Sequence, residues 1–175
     1  MKLISSLALL LGVVQPQMLA QAPAFDEYQL KAAFLFNFAK FVEWPPDTFN
    51  NPSEPIGICV IGQNPFGSRL EETVRGKIVA NRTVVVLQNP DPQHLSKCRI
   101  VFVSGSEGKR SLILDELKTK KVLTISETDG VNWGGGVIGL SLKDGRVRIE
   151  IDPAAADRAG LRISSKLLRL AEIKK

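Results

Sequence analysis

The sequence contains few of the side chains that perform catalysis or bind metal ions. It has one histidine, His94, and two cysteines, Cys59 and Cys98, which are not in CxxC spacing. One histidine and two cysteines so far apart do not form a usual zinc site. The sequence also lacks a G-x-S-x-G motif and a P-loop lysine. We therefore expect no catalytic residues, no metal and no cofactor, and a protein that is not an enzyme.

No apolar run beyond the N-terminus approaches the length of a membrane span, which is about 18 residues or more. At the N-terminus, Lys2 precedes a shorter apolar run that is followed by Ala20, Ala22 and Ala24. This pattern is typical of a secretory signal peptide. We predict a cleaved signal peptide over residues 1–24 and a single periplasmic domain over residues 25–175. A buried N-terminal helix is the alternative interpretation.

The basic residues are concentrated at the end of the chain. The net charge is +5, yet residues 23–160 carry 17 basic and 17 acidic side chains. Residues 161–175 carry five basic side chains and one acidic side chain, a net charge of +4. A nucleic-acid-binding domain would spread its charge over a face or groove. The distribution therefore argues against nucleic acid as a partner.

The pattern of apolar runs predicts alternating strands and helices. Strands are expected at residues 56–62, 83–87, 99–103 and 122–126, where short runs are rich in valine and isoleucine. Helices are expected at 26–43, from Asn64 as an N-cap, and at 109–121, where Leu112, Ile113 and Leu117 would point inward. Residues 137–151 form two alternating segments around Asp144-Gly145, a strong hairpin signal.

These elements predict an α/β fold, a doubly wound, mostly parallel sheet of five to six strands with helices on both faces. The hairpin would follow the parallel strands, and then a short helix between Asp152 and Gly160 and a final helix or turn within residues 163–173. An even number of cysteines in an exported chain favours a disulfide, although two buried thiols are the alternative. If the first strand lies beside the third, Cys59 and Cys98 are close enough to pair.

The aromatic segment at residues 31–45 divides into two sets of residues. At 100° per residue, Phe34, Phe38 and Phe41 share the apolar half of a helix with Lys31, whose stem could lie along that surface. Phe36 falls on the polar half, and Trp44 stands where Pro45 and Pro46 end the helix. We assign the first set to the core and predict that another element or subunit covers Phe36.

The C-terminal segment and one glycine-rich loop offer two further candidate sites. In a helix over residues 164–172, Leu167, Leu168, Leu170 and Ala171 share one side, while Lys166 and Arg169 share the other. This helix either docks on the core with a solvated basic face or meets a partner or an anionic membrane. The loop "SGSEG" (104–108) precedes a helix and could hold an anion, so a small-molecule-binding sensory module is the alternative function.

Five ordered segments resemble the YfiR family. They are "AAFLFNFAKFVEWP" (32–45), "CVIGQNPFG" (59–67), "CRIVFVSGSE" (98–107), "GGGVIGLSLKDGRVRIEI" (134–151) and "AGLRISSKLLRLA" (159–171). The resemblance implies a periplasmic, non-enzymatic regulator with an α/β fold, often a homodimer. Such a regulator represses an inner-membrane diguanylate cyclase by binding its periplasmic domain, which lowers cyclic di-GMP and biofilm formation. In that system an outer-membrane lipoprotein sequesters the regulator and releases the cyclase.

The resemblance also assigns roles to particular residues. Cys59 and Cys98 occupy the positions of a family disulfide, whereas a second pair found in some members is absent here. The partner contact in the family lies toward the C-terminus, which corresponds to residues 160–171. Together with the two unexplained aromatic residues, this predicts a partner-binding set of Phe36, Trp44, Arg162, Ile163, Leu167, Leu168 and Arg169.

Overall fold

Short apolar runs rich in valine and isoleucine form a central β-sheet, and helices cover both of its faces. The computed structural model describes residues 26–128 and 135–174, so the predicted signal peptide, residues 1–24, lies outside the described residues. The helices are α1 (Glu27–Phe41), α2 (Arg69–Val74), α3 (Arg110–Leu117), α4 (Pro153–Arg158) and α5 (Ser165–Leu168). The strands are β1 (Val42–Glu43), β2 (Ile56–Ile61), β3 (Ile78–Val79), β4 (Arg82–Gln88), β5 (Cys98–Val103), β6 (Leu123–Thr128), β7 (Ile138–Lys143), β8 (Arg146–Ile151), β9 (Arg162–Ile163) and β10 (Glu172–Ile173). Two 3-10 turns span Pro46–Thr48 and Pro92–Lys97.

The central sheet is doubly wound and mostly parallel, as predicted. Its strand order is β10-β8-β7-β6-β5-β2-β4-β3. The five strands from β4 through β2, β5 and β6 to β7 are parallel, and β8 returns antiparallel to β7. The chain moves outward from β2 to β4 and then crosses back, so that β5 lies on the other side of β2. Six long strands build the sheet, and the edge strands β3 and β10 add two residues each.

The central strands β2 and β5 supply side chains to two separate cores. Ile58 and Val60 of β2 face the core that α1 and α2 cover, while Cys59 between them faces the core that α3 covers. Successive residues of a strand point to opposite faces, so a continuous apolar run fills both cores. This explains why β2 is apolar throughout.

The inward face of α3 differs from the prediction. Leu114 is buried, and Ile113 and Leu117 pack beside it, but Leu112 is 64 % exposed. At 100° per residue, Leu112 lies about 150° from the centre of the stripe formed by the other three side chains. The predicted inward position of Leu112 is therefore wrong.

The adjacent strands β2 and β5 are joined by a disulfide between Cys59 and Cys98. The two Cα atoms are 5.7 Å apart, and both residues are buried. The predicted pair is thus confirmed, and the alternative of two free thiols does not hold. At the start of this strand pair only a glycine fits at position 57, because an added Cβ would lie 2.4 Å from the carbonyl oxygen of Lys97.

The hairpin and the short helix that follows it form as predicted. Asp144 and Gly145 have φ values of 51° and 69°, the left-handed conformation that a two-residue hairpin turn requires. Asp152 caps α4, since its Oδ1 accepts the Ala155 N–H at 2.9 Å. Gly160, with φ of 69°, ends this segment and directs the chain into β9.

The predicted N-cap at Asn64 is wrong, because α2 begins only at Arg69. Asn64 instead stabilises a turn, in which its Oδ1 accepts the Phe66 N–H at 2.9 Å and its Nδ2 donates to the Gly67 carbonyl oxygen at 3.1 Å. An asparagine that bonds its own backbone in this way favours a turn over a helix. The turn places Phe66 fully in the core.

Helix α1 carries the aromatic segment. Phe38 is fully buried, and Phe34 and Phe41 pack at the margin of the same core, as predicted.

Among residues 26–128 and 135–174, no helix is both long enough and apolar enough to cross a membrane.

A buried lysine fixes the start of α1 over the carboxyl ends of the parallel strands. Lys31 is 1 % exposed, its Nζ lies 2.6 Å from Oε1 of Glu127 on β6, and it also pairs with Glu27. The other carboxylate oxygen of Glu127 accepts the Gly105 N–H at 2.9 Å. Burial raises the pKa of Glu127, but the hydrogen bonds from Lys31 and Gly105 lower it by a larger amount. The pKa of Glu127 therefore lies below its usual value.

The connector after α1 is fixed by a buried arginine. Arg99 is 5 % exposed and donates to the Thr48 carbonyl oxygen and to Oε1 of Glu54, both at 2.7 Å. The ring of Phe49 lies 3.8 Å from the guanidinium carbon of Arg82 and 4.9 Å from that of Arg99. These contacts hold the turn that follows Trp44 against the amino end of β5.

Removing the disulfide by Cys59→Ser with Cys98→Ser should lower the free energy of unfolding by about 4 kcal/mol, because the unfolded chain is no longer restricted. Urea unfolding followed by tryptophan fluorescence measures the change. A reductant should lower the unfolding midpoint of the natural chain and leave that of the double variant unchanged. The expectation fails if the fully reduced natural chain keeps its midpoint, with reduction verified by intact mass.

Replacing Lys31 by methionine should destabilise the fold by about 3–5 kcal/mol, because it leaves the Glu127 carboxylate buried without its cation. The double variant Lys31→Met with Glu127→Gln should recover part of this loss. Lys40→Met, at an exposed position of the same helix, serves as the control and should change stability by no more than about 0.5 kcal/mol. Equal losses in Lys31→Met and Lys40→Met would show that the ion pair does not stabilise α1.

The lowered pKa of Glu127 also predicts a pH dependence. Since the pKa is lower in the folded chain, the unfolded chain takes up the proton first, and stability should fall as the pH drops below about 4.5. Urea unfolding over a pH series measures this slope, and Glu127→Gln should make it shallower. An unchanged slope in that variant would assign the acid sensitivity to other carboxylates.

Candidate functional site

The end of α1 and the C-terminal segment meet to form one surface. Val42 pairs with Ile163 and Glu43 with Arg162 in the antiparallel strands β1 and β9. The Ser164 N–H donates to the Phe41 carbonyl oxygen at 2.9 Å, which extends this pairing. The pairing places Trp44, immediately after β1, beside the C-terminal residues of the predicted partner-binding set. We call Phe36, Trp44, Arg162, Ile163, Leu168 and Arg169 the terminal surface.

A shallow groove runs along this surface. It has a volume of about 230 Å³ and is lined by Pro153, Ala156, Asp157, Leu161, Arg162, Ile163 and Leu168. Its walls are mainly apolar, with one carboxylate and one guanidinium group. Arg162 and Arg169 are exposed, and Ile163 and Leu168 are half-buried.

Leu167 does not belong to the exposed part of the predicted set. It is 2 % exposed and packs in the core, where it anchors α5. The predicted helix over residues 164–172 is in fact a single turn, α5, because the chain then extends into β10 and pairs with β8. As a result the expected shared apolar side does not form, and Leu170 is 71 % exposed while Leu167 is buried.

Two aromatic residues of the terminal surface are half-buried within the chain. The ring of Phe36 packs at the edge of the core, and Nζ of Lys40 lies 5.3 Å from its centroid. The indole N–H of Trp44 is buried and has no hydrogen-bond partner among the described residues. Buried tryptophans usually bond this group, so Trp44 has an unused donor beside β9.

The described residues show no arrangement that resembles a catalytic or metal site. Among residues 26–128 and 135–174, no cluster of three or more His, Cys, Asp or Glu side chains could hold a metal ion. His94 is half-buried in the 3-10 turn before β5, with Nδ1 3.9 Å from a carboxylate oxygen of Asp91.

The glycine-rich loop proposed as an anion site donates to the chain's own carboxylates. The Gly105 N–H bonds to Glu127, and the Lys109 N–H bonds to Oε1 of Glu107 at 2.9 Å. Glu127 was not predicted from the sequence as the partner of Lys31, although a lysine on the apolar face of a helix indicates that a buried carboxylate pairs with it. A lysine in such a position needs a carboxylate partner when it is buried.

A second concavity lies at the amino ends of β5 and β6. This cleft has a volume of about 780 Å³, and its apolar walls include Leu95, Leu117 and Val122. Arg99 and Thr48 also line the cleft, and Nε of Arg99 and Oγ1 of Thr48 are buried without a hydrogen-bond partner among the described residues. No local sequence pattern indicates this cleft, because its walls come from three separate segments.

Comparison with known proteins identifies the family. No curated protein matches the chain. The sequence model described as YfiR/HmsC-like matches residues 28–172, which covers α1, the central sheet and the terminal surface. The resemblance seen in the five sequence segments is thus confirmed over most of the chain. The chain belongs to the YfiR/HmsC-like family.

Proposed function

We propose that this chain is a periplasmic regulatory protein that represses an inner-membrane diguanylate cyclase by binding its periplasmic domain. The observation that carries the proposal is the family match over residues 28–172, since this family is one of regulators and not of known enzymes. Repression would lower cyclic di-GMP and biofilm formation. Homodimer formation and sequestration by an outer-membrane lipoprotein are parts of the same proposal.

The terminal surface supports this function by its composition. A tryptophan and two arginines are residue types that are enriched in protein interfaces, and two half-buried aliphatic side chains belong to the same surface. The groove offers an apolar contact through Ile163 and Leu168, and Arg162 lies at its wall.

Repression also sets a thermodynamic condition on this contact. A bound protein shifts an equilibrium only by the difference in its affinity for the two states. The regulator must therefore bind the inactive conformation of the cyclase more tightly than the active one. Rigid placement of the surface, by strand pairing on one side and by Leu167 on the other, favours such discrimination.

The cleft at the amino ends of β5 and β6 favours a second candidate function, a small-molecule-binding sensory module. Its volume lies in the range of about 300–1,000 Å³ that is usual for ligand sites, and its walls are mainly apolar. The unpartnered atoms of Arg99 and Thr48 beside it indicate a ligand with a hydrogen-bond acceptor.

Deleting the gene should raise cyclic di-GMP, and re-expression of the natural chain should restore the lower level. Charge reversal by Arg162→Glu with Arg169→Glu should weaken binding to the detergent-solubilised cyclase by about thirtyfold, the effect of losing a strong interface contact. Arg146→Glu is the matched control, because this exposed arginine lies at the hairpin turn, at the end of β8 away from α4 and the groove.

Both arginines are exposed, so the variants should keep the circular dichroism spectrum and melting temperature of the natural chain. The proposal is wrong if the natural chain does not associate with the cyclase and its deletion leaves cyclic di-GMP unchanged. If binding persists in the double variant, the partner contacts a different surface.

A thermal-shift screen of amino acids and nucleotides tests the second function. A ligand of the cleft should raise the melting temperature of the natural chain but not of Leu95→Arg, which places a charged side chain in the cleft. Ser106→Trp at the glycine-rich loop serves as the contrast. Loss of the effect only in Ser106→Trp would place the ligand at the loop instead.

A further inference from the structure

The turn that follows α5 presents an apolar side chain between two cations. Leu170 is 71 % exposed, the highest value for a large apolar residue in the described part of the chain. The Arg169 N–H donates to the Ser165 carbonyl oxygen at 3.1 Å and the Leu170 N–H to that of Leu167 at 3.0 Å, so helical geometry continues past α5. Residues three and four apart share a helix face. Lys166, Arg169 and Leu170 therefore form one outward group, which we call the basic turn.

The charges of the basic turn are not neutralised by ion pairs within the described part of the chain. Neither Lys166 nor Arg169 forms an ion pair with any residue in the described ranges, and both are exposed. The one acidic residue of the segment, Glu172, lies 3.6 Å from Arg148. In the sequence, residues 161–175 have a net charge of +4, while the net charge of residues 23–160 is zero.

We propose that the basic turn docks the protein on an anionic phospholipid surface. Lys166 and Arg169 would contact the phosphate groups, and Leu170 would enter the boundary between headgroups and acyl chains. Lysine is depleted in protein interfaces, and the turn has no aromatic side chain, so its composition favours lipid over a protein partner. One leucine and few charges give weak and reversible binding, which high salt should abolish.

This proposal does not rest on the cyclase contact, although Arg169 belongs to both surfaces. The groove of the terminal surface is formed by Ile163 and Leu168, whereas Lys166 and Leu170 do not line it. Variants at Lys166 and Leu170 can therefore test lipid binding separately from the binding of a protein partner.

The experiment is sedimentation of the processed full-length protein with vesicles of phosphatidylethanolamine, with or without phosphatidylglycerol. The natural chain should bind only the vesicles that contain phosphatidylglycerol, and only at low ionic strength. Lys166→Glu and Leu170→Asp should each weaken binding at least about fivefold, the effect of one basic residue near such a surface. Lys77→Glu and Ile78→Asp are matched controls, because they alter an exposed lysine and an isoleucine that is 64 % exposed at the other edge of the sheet.

Three results would overturn the proposal. Equal binding to vesicles with and without phosphatidylglycerol would show that the negative charge of the lipid does not drive binding. Equal losses in the control variants would show a general effect of added negative charge. Absence of vesicle binding, together with weakened cyclase binding in Lys166→Glu or Leu170→Asp, would show that the basic turn contacts a protein.

Discussion

The buried ion pair between Lys31 and Glu127 fixes α1 on the sheet. The position of α1 in turn determines which side chains lie at the carboxyl ends and at the amino ends of the parallel strands. At the carboxyl edge, Glu127 also accepts the Gly105 N–H, so the start of α1 and the glycine-rich loop are joined through one carboxylate. At the amino edge, the end of α1 continues into β1, which pairs with β9. A single charged contact at one end of the helix thus places the terminal surface at the other.

This ion pair also occupies the place where sheets of this topology usually bind ligands. Doubly wound sheets usually bind ligands in the crevice at the carboxyl ends of their strands, where the strand order reverses. Here that region holds Lys31, Glu127 and the ring of Phe66 against Tyr28, all supplied by the chain itself. The concave surfaces described above lie instead toward the amino ends of the parallel strands.

Features with local signals could be predicted from the sequence, and features that depend on distant partners could not. The hairpin at Asp144-Gly145, the cap at Asp152 and the valine-rich strands follow from nearby residues alone. The partner of Lys31 could not be found in this way, because Glu127 lies 96 residues further along the chain. The length of α5 was overestimated for the same reason, since pairing of β10 with β8 competes with the helix. In the candidate site, which stays a prediction, the sequence pattern could not separate the buried Leu167 from the half-buried Leu168.

The pairing of β1 with β9 has a consequence for the order in which the protein is completed. Val42 and Ile163 are about 120 residues apart, so α1 is synthesised long before its strand partner. Contacts of such large sequence separation form late in folding. The sheet can assemble from its own neighbouring units, but the terminal surface exists only after the last segment of the chain has been synthesised.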